Sequence, residues 1–517
     1  MTDDQSQSGG MNFGECCGFT QLFRAFRLAV NPVSLLLVLT ALILTYVLGV
    51  GLDLAWPEAH RPYQGESIVF PGELPPLVAA GADSALIPEA PTGVFEELTN
   101  TLRTFGGRAM AAAVQGHVLP HGADVAAGLS APRNPLDDAG YGVLGCLRQM
   151  GLAFVWLVTV HWVFALIFLA VGLAIWAWLG GAVCRIVAVQ AARDEKISLR
   201  EALTFGKQKF LSFYTAPLIP VGLSLFIGAF MIGGGLVGAI PWVGEILAGL
   251  LFALALLGGF LIALTIIGAV GGGAMMWPTI AVEGSDAFDA ISRSFSYVFA
   301  QPWRAVFYAA VTLVYGSVCY LFLRVLVWLL LIAAHVFVSV GMFPDRTVDG
   351  QVVSKLDAMW TRPSFAHLMP ESPALDRDLI GVTTTNGEEE APPPAPSRSE
   401  YVGGLLIYLF VWLTVGTLYA FLISFFFSGS TLIYSLLRRE VDATDLEDIY
   451  IEETEDDVPD APAATEAEPA STTSPVLDDA TEEDAAGTNE SEGESGASDK
   501  PESPSDPSES GDKKDGD

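Results

Sequence analysis

The chain is 517 residues long, 51% hydrophobic with a mean hydropathy of +0.45, and carries a formal net charge of -33. That apolar content with only 16% charged residues belongs to a chain that places much of its length in lipid. The acidity belongs to one end: Glu440 to Asp517 holds 28 Asp and Glu against 3 Lys, a net of -25, which leaves -8 for the other 439 residues.

Residues 1–32 are read as an N-terminal segment ending in an amphipathic helix, with Phe19, Leu22, Phe23 and Phe26 on one face and Arg24 and Arg27 on another. Asn31-Pro32 breaks it, and 33–51 is a first span of 19 residues without a charge. A leader of about thirty residues with no A-x-A site makes it an uncleaved anchor rather than a signal peptide. Residues 52–151 form a modest outer domain with one helical pattern at Phe95, Leu98, Leu102 and Phe105. His117 and His121 are separated by a proline and lack a neighbouring carboxylate, so they read as loop histidines and not as metal ligands.

A second span, 152–183, ends at Cys184-Arg185. The basic segment 184–212 follows, with Arg193, Lys196, Arg200, Lys207 and Lys209; its Ser198 to Glu201 has capping-box spacing and its Leu199, Ala202, Leu203 and Phe210 make an apolar stripe. This predicts an elbow helix lying in the headgroup layer. Spans three and four, 213–240 and 246–270, are joined by a tight turn holding Pro241, Trp242, Gly244 and Glu245. The second elbow, 271–304, places Phe288, Ile291, Phe295, Val298 and Phe299 at steps of three and four, with Asp289, Ser292, Arg293 and Ser296 opposite. A fifth span at 305–341, an outer loop at 342–400 and a sixth span at 401–437 lead to Arg438-Arg439. The tail 438–517 is acidic and, with Tyr450 as its one aromatic residue, too polar to fold.

The expected fold is therefore an all-α membrane protein: six transmembrane helices, cytoplasmic interfacial elbows, paired two-span repeats and a disordered acidic tail. Basic residues next to the span ends put both termini in the cytoplasm of a cell (inner) membrane protein. The repeat rests on Gly180–Gln190 (GGAVCRIVAVQ) aligned with Gly273–Glu283 (GAMMWPTIAVE), followed by Glu201-Ala202-Leu203 aligned with Asp289-Ala290-Ile291. Gly234 with Gly238, and Gly268 with Gly272, have GxxxG spacing and predict tight helix contacts. The second, fifth and sixth spans exceed twenty residues, which predicts long tilted helices.

Chemistry is not written in any motif. HExxH, GxSxG, Walker A and dinucleotide-loop patterns are missing from the sequence, and the five cysteines form no CxxC, so no catalytic residue, metal or cofactor is assigned. Cys16 and Cys17 read as free thiols. Among the polar residues in or beside apolar runs, His161 and His335 read as hydrogen-bonded packing residues and Glu245 as a helix-start carboxylate. Arg324 is the candidate functional residue: it lies about 30 Å along its helix from Arg304, where its stem snorkels outward, or else it sits in mid-bilayer facing an anion.

The runs PTIAVEGSDAFDAISRSFSYVFAQPWRAVFY and ARDEKISLREALTFGKQKFLSFYTAPLIP resemble an uncharacterised family of bacterial multi-pass membrane proteins. More distantly, they are similar to the membrane region of some glycerophosphodiester phosphodiesterases. The resemblance covers about Gly180 to Leu313 and implies a fold and a location; the metal-binding acids and histidines of the phosphodiesterase domain have no counterpart here. The leading expectation is a non-enzymatic membrane scaffold whose acidic tail docks a basic cytosolic protein, nucleic acid being disfavoured by sign. The rival is a small-solute transporter or channel built on the paired repeats.

Overall fold

The computed structural model describes residues 18–63, 65–70, 92–119, 142–342, most of 346–365, 368, 398–445 and 447–450. Cys16, Cys17, His121, part of the first outer loop, most of the second and the acidic stretch from 451 lie outside the described residues. A 3-10 turn, Gly18–Arg24, runs into α1 (Ala25–Ala29), and Asn31 caps α2 (Pro32–Ala55) by accepting the Val33 N–H. The single turn α3 (Glu66–Val69), α4 (Val94–Val114) and α5 (Gly142–Val160) follow. Then come α6 (Trp162–Arg193), α7 (Leu199–Gln208), α8 (Phe210–Thr215), α9 (Leu218–Gly238), α10 (Val243–Glu283), α11 (Ala287–Ala300), α12 (Pro302–Gly341) and α13 (Arg398–Asp442). A small antiparallel ribbon, β1 (Arg346–Val348) with β2 (Gln351–Val353), sits between the last two.

Seven of these helices, α2, α5, α6, α9, α10, α12 and α13, are long and apolar enough to cross a membrane, which makes this a multi-pass helical membrane protein. The seventh corrects the expectation of six. What reads as a single run at 152–183 begins earlier, at Gly142, and breaks at His161 (φ -110, ψ 46). The cause is tertiary. Trp156 Nε1 donates to Glu66 of α3 at 3.1 Å, and the His161 ring stands edge-on to Trp156 at 4.8 Å, with Nε2 3.9 Å from Glu66. A satellite core of Val94, Phe95, Leu98, Ala153, Trp156, Leu157 and Phe164 then ties α5 to α4 and to the adjoining ends of α2 and α6.

Five helix ends converge at the opposite end of the bundle. Asn31 bonds Gln190 at 2.8 Å and Thr45 bonds Trp176 at 3.1 Å, so α2 and α6 are antiparallel. Arg185 near the end of α6 reaches Ala281 near the end of α10; Arg438 near the end of α13 reaches Glu283; Tyr308 near the start of α12 reaches Glu440. Six helices, α2, α6, α9, α10, α12 and α13, thus run between the two ends of the bundle, with the first and last described segments at one end, and the seventh, α5, is linked to α6 by His161 alone.

The elbows begin later than expected. α6 continues to Arg193 and α10 to Glu283, so 184–193 and 271–283 are the last turns of long helices rather than parts of elbows. They run on because every residue from Leu179 to Gln190 and from Met275 to Val282, save Trp277, is buried by neighbouring protein, the polar Arg185, Gln190 and Thr279 included. Even Pro278 lies inside α10. With 41 residues α10 is roughly 60 Å long, twice the ~30 Å of a hydrocarbon layer.

Both long helices stop on a left-handed residue, Asp194 (φ 59) and Gly284 (φ 62). Each is followed by a capped short helix: Ser198 accepts the Glu201 N–H at 3.2 Å, and Asp286 accepts the Asp289 N–H at 2.9 Å. The aligned triplets Glu201-Ala202-Leu203 and Asp289-Ala290-Ile291 therefore occupy the same position relative to the cap, and Ala202 and Ala290 are each fully buried. Four residues on, Gly206 lies so close to α6 that a Cβ would stand 2.5 Å from the Trp178 carbonyl, and a Cβ on Gly272 would stand 3.2 Å from the Ser294 backbone. The two aligned segments share caps and contact positions; the first long helix runs three residues further past its aligned segment than the second.

The protein-facing side of α11 is Ala287, Ala290, Ser294, Tyr297 and Val298, while Phe288 and Phe299 point outward at 72% and 46% exposure. Only part of the expected apolar stripe is buried, because small residues permit the close approach that phenylalanines would block. Of the two GxxxG pairs, Gly268 and Gly272 receive Phe295 and Ser294, and Gly238 receives Ala248, whereas Gly234 has nothing within 4 Å.

Candidate functional site: a clasp between the two copies

The end of α10 presents carbonyls with no helical partner and the negative end of the helix dipole. Arg185 Nη1 donates to Ala281 O at 2.9 Å, the Tyr450 N–H donates to Val282 O at 2.8 Å, and Lys209 Nζ donates to Gly284 O. Arg185 comes from the first copy, at the position aligned with Pro278 of the second. It is buried, its Nη2 donates to Tyr450 O at 2.7 Å, and its guanidinium lies 4.6 Å from the Phe205 ring centre. Gly284 leaves room for the Tyr450 ring: a Cβ there would stand 2.5 Å from it. Tyr450 is thus held by both aligned segments at once.

Beside this seat is a second layer of charge. Glu283 pairs with Arg293 at 2.8 Å and with Arg438 Nε at 3.1 Å, and accepts the Tyr434 hydroxyl. Arg293 also bonds both Asp289 oxygens at 3.0 Å. Burial opposes its charge, but Asp289 and Glu283 outweigh that and raise the Arg293 pKa further. Tyr297 donates to Asp442, and burial followed by the Asp442 charge pushes the Tyr297 phenol up. Tyr308 and Arg304 both hold Glu440, at 2.5 Å. Each named carboxylate meets an arginine or a tyrosine hydroxyl, an arrangement suited to fixing helix ends together rather than to activating a nucleophile.

Arg324 is remote from this clasp. It is half-buried about 33 Å along α12 from Pro302, and donates to the Tyr320 hydroxyl at 3.2 Å and to Phe365 O at 3.1 Å, with its guanidinium 5.4 Å from the Phe365 ring centre. Further along, buried His335 has Nε2 3.0 Å from Asp357 and 3.3 Å from Trp360 O. His335, Ser339, Asp357, Thr361 and Arg362 line an open cavity of about 450 Å³. Glu245 is exposed in the first turn of α10, just after a γ-turn in which Trp242 takes φ 71 and ψ -65. In the α3–α5 region, Glu97 accepts from Gly65 N, Ser67 N and Ser67 Oγ, and burial pushes its carboxyl pKa up. Among the described residues no group of three His, Cys, Asp or Glu is placed to hold a metal, and Cys146, Cys184 and Cys319 are free and buried.

The residues that sequence reasoning missed are Arg185, Glu283, Tyr434 and Tyr450. Arg185 had a signal, being a cation with apolar residues on both sides in an aligned segment; apart from Arg293 beside Glu283, Glu283 and Tyr450 acquire their roles from partners more than 150 residues away. Comparison with protein-family models, curated proteins and solved structures finds no match to this chain. Its residues and coordinates establish a multi-pass helical membrane protein, and its family is not identified by likeness.

Proposed function

We propose that this protein is a non-enzymatic membrane scaffold that crosses the bilayer six times, with both ends in the cytoplasm, and presents its acidic C-terminal stretch to a basic cytosolic protein. The clasp carries this reading: Arg185, Lys209 and Glu283 hold the exit of α13 and residues 447–450 across both copies, so the acidic stretch leaves from a fixed point. The six helices that run between the ends of the bundle support six crossings, and Arg27, Arg193, Lys196, Arg200, Lys207 and Arg438 at the elbow end support the cytoplasmic side. Exposed Phe288, Phe299 and Trp303, the last at 84%, support an elbow seated in the headgroup layer.

The test is co-purification of full-length protein against a chain ending at Glu452. That endpoint keeps Glu440, Asp442 and Tyr450, which belong to the clasp. Loss of a basic partner on truncation supports the scaffold; an unchanged partner set overturns it. Single cysteines near Lys207 and near Thr99, labelled from one side, test the topology.

A second reading, a small-solute transporter or channel, draws on Arg324 and the cavity beside His335. The junction of the copies argues against a continuous path, since Trp277 stacks on Phe427 with centroids 5.7 Å apart and bonds Phe213 O at 3.0 Å. A flux screen in liposomes decides between the two.

A further inference from the structure

The two elbows have come to treat charge differently. In the second, Arg293 is committed to Glu283 and Asp289, and Arg304 to Glu440. In the first, Arg193, Lys196, Arg200 and Lys207 are all exposed and make no ion pair among the described residues, although Asp194 is engaged by Arg27. Two exposed acids, Glu195 and Glu201, lie in the same stretch, so four cations face two anions on a body whose net charge is negative. Arg200 and Lys207 are seven residues apart and share one face of the short helix. Exposed Leu199 flanks them on that helix and Leu211, 70% exposed, lies just beyond it. This surface lies directly before α9, whose apolar side chains point outward along most of its length, and after the protein-enclosed end of α6.

We infer that the face of α7 is a seat for anionic phospholipid headgroups, the cations meeting phosphate and Leu199 and Leu211 entering the acyl boundary. The inference rests on the membrane placement proposed above but not on the scaffold role. Charge complementarity selects the occupant: basic groups beside apolar ones at the start of the outward-facing helix α9 match an anionic lipid surface, with each cation near such a surface contributing about 1 kcal/mol, a factor of about five. The second elbow, whose arginines already hold carboxylates, lacks this capacity and anchors through Phe288, Phe299 and Trp303 instead.

The test uses the full chain reconstituted in phosphatidylcholine with and without phosphatidylglycerol, with native mass spectrometry to count retained lipid. Wild type should retain phosphatidylglycerol preferentially. Arg200→Gln and Lys207→Gln should each lower that preference about fivefold, with Lys207→Arg restoring it. Arg103→Gln with Arg148→Gln, exposed cations elsewhere in the fold, should leave it unchanged. An unchanged preference in Arg200→Gln with Lys207→Gln overturns the inference, as does an equal loss in the Arg103 and Arg148 control. Competition by inorganic phosphate also overturns it, since that marks a free-anion site. Because the readout is lipid composition, a scaffold that fails to co-purify a partner leaves this result standing.

Discussion

The α9–α10 hairpin and the elbow end are made of equally apolar sequence, yet they live in opposite surroundings. None of the most apolar window of α9 is buried by protein, and α10 shows outward-facing side chains from Val243 to Val270. The same helix then becomes enclosed from Gly272 to Val282, where α6, α11 and α13 close around it. Hydropathy does not mark the change. What marks it is charge placed where lipid would reject it, at Arg185, Glu283 and Arg438, with each group answered by another. Lipid serves the first region as solvent, and protein the second.

That contrast breaks most sharply at Glu283. Glu283→Ala leaves Arg438, 13% exposed, and Arg293 without their shared carboxylate, and should destabilise the elbow end by about 4 kcal/mol, read as a lowered thermal midpoint in detergent. Gly206→Val drives a side chain into the Trp178 carbonyl and should cost about 3 kcal/mol by the same measurement. Gly284→Ala combines a left-handed backbone with a collision against Tyr450, so a loss of about 2 kcal/mol is expected, with faster amide exchange at 447–450.

Alkaline titration probes the clasp more gently. Tyr297 ionises at a higher pH folded than unfolded, so the unfolded chain loses this proton first as pH rises past the ordinary phenol value. Stability should therefore fall above that value and be intact below it, and Tyr297→Phe should flatten the fall. The smallest effect belongs to the hairpin: Gly234→Ala adds a methyl with nothing within 4 Å, and the midpoint should move by less than about 0.5 kcal/mol.

Much of this was legible locally. The Ser198 and Asp286 caps, the turn at Trp242 and the aligned Ala202 and Ala290 follow from short-range spacing and stand where spacing put them. The break at His161 was not legible, because Glu66, which binds Trp156 and approaches His161, comes from another part of the chain and no proline or glycine announces the break. Nor was the extent of α6 and α10 into the elbows: an apolar helix enclosed by protein and one enclosed by lipid have the same composition. Arg324 was legible as an outlier, but the Phe365 carbonyl that receives it comes from a loop without a pattern.

The contact between Ser424 and the Ala29 carbonyl, 2.9 Å across a sequence separation of 395, orders events during synthesis. The opening turn and α1 rest on α12 and α13, so this segment must wait for several hundred later residues to be made before its seat exists, a separation of 395 at the Ser424 contact. Until then Leu22 and Leu28, fully buried at the end, need temporary shelter from an insertion factor or the bilayer surface. Cells short of such help should accumulate a form whose N-terminal segment is cut by proteases, although its later helices are inserted.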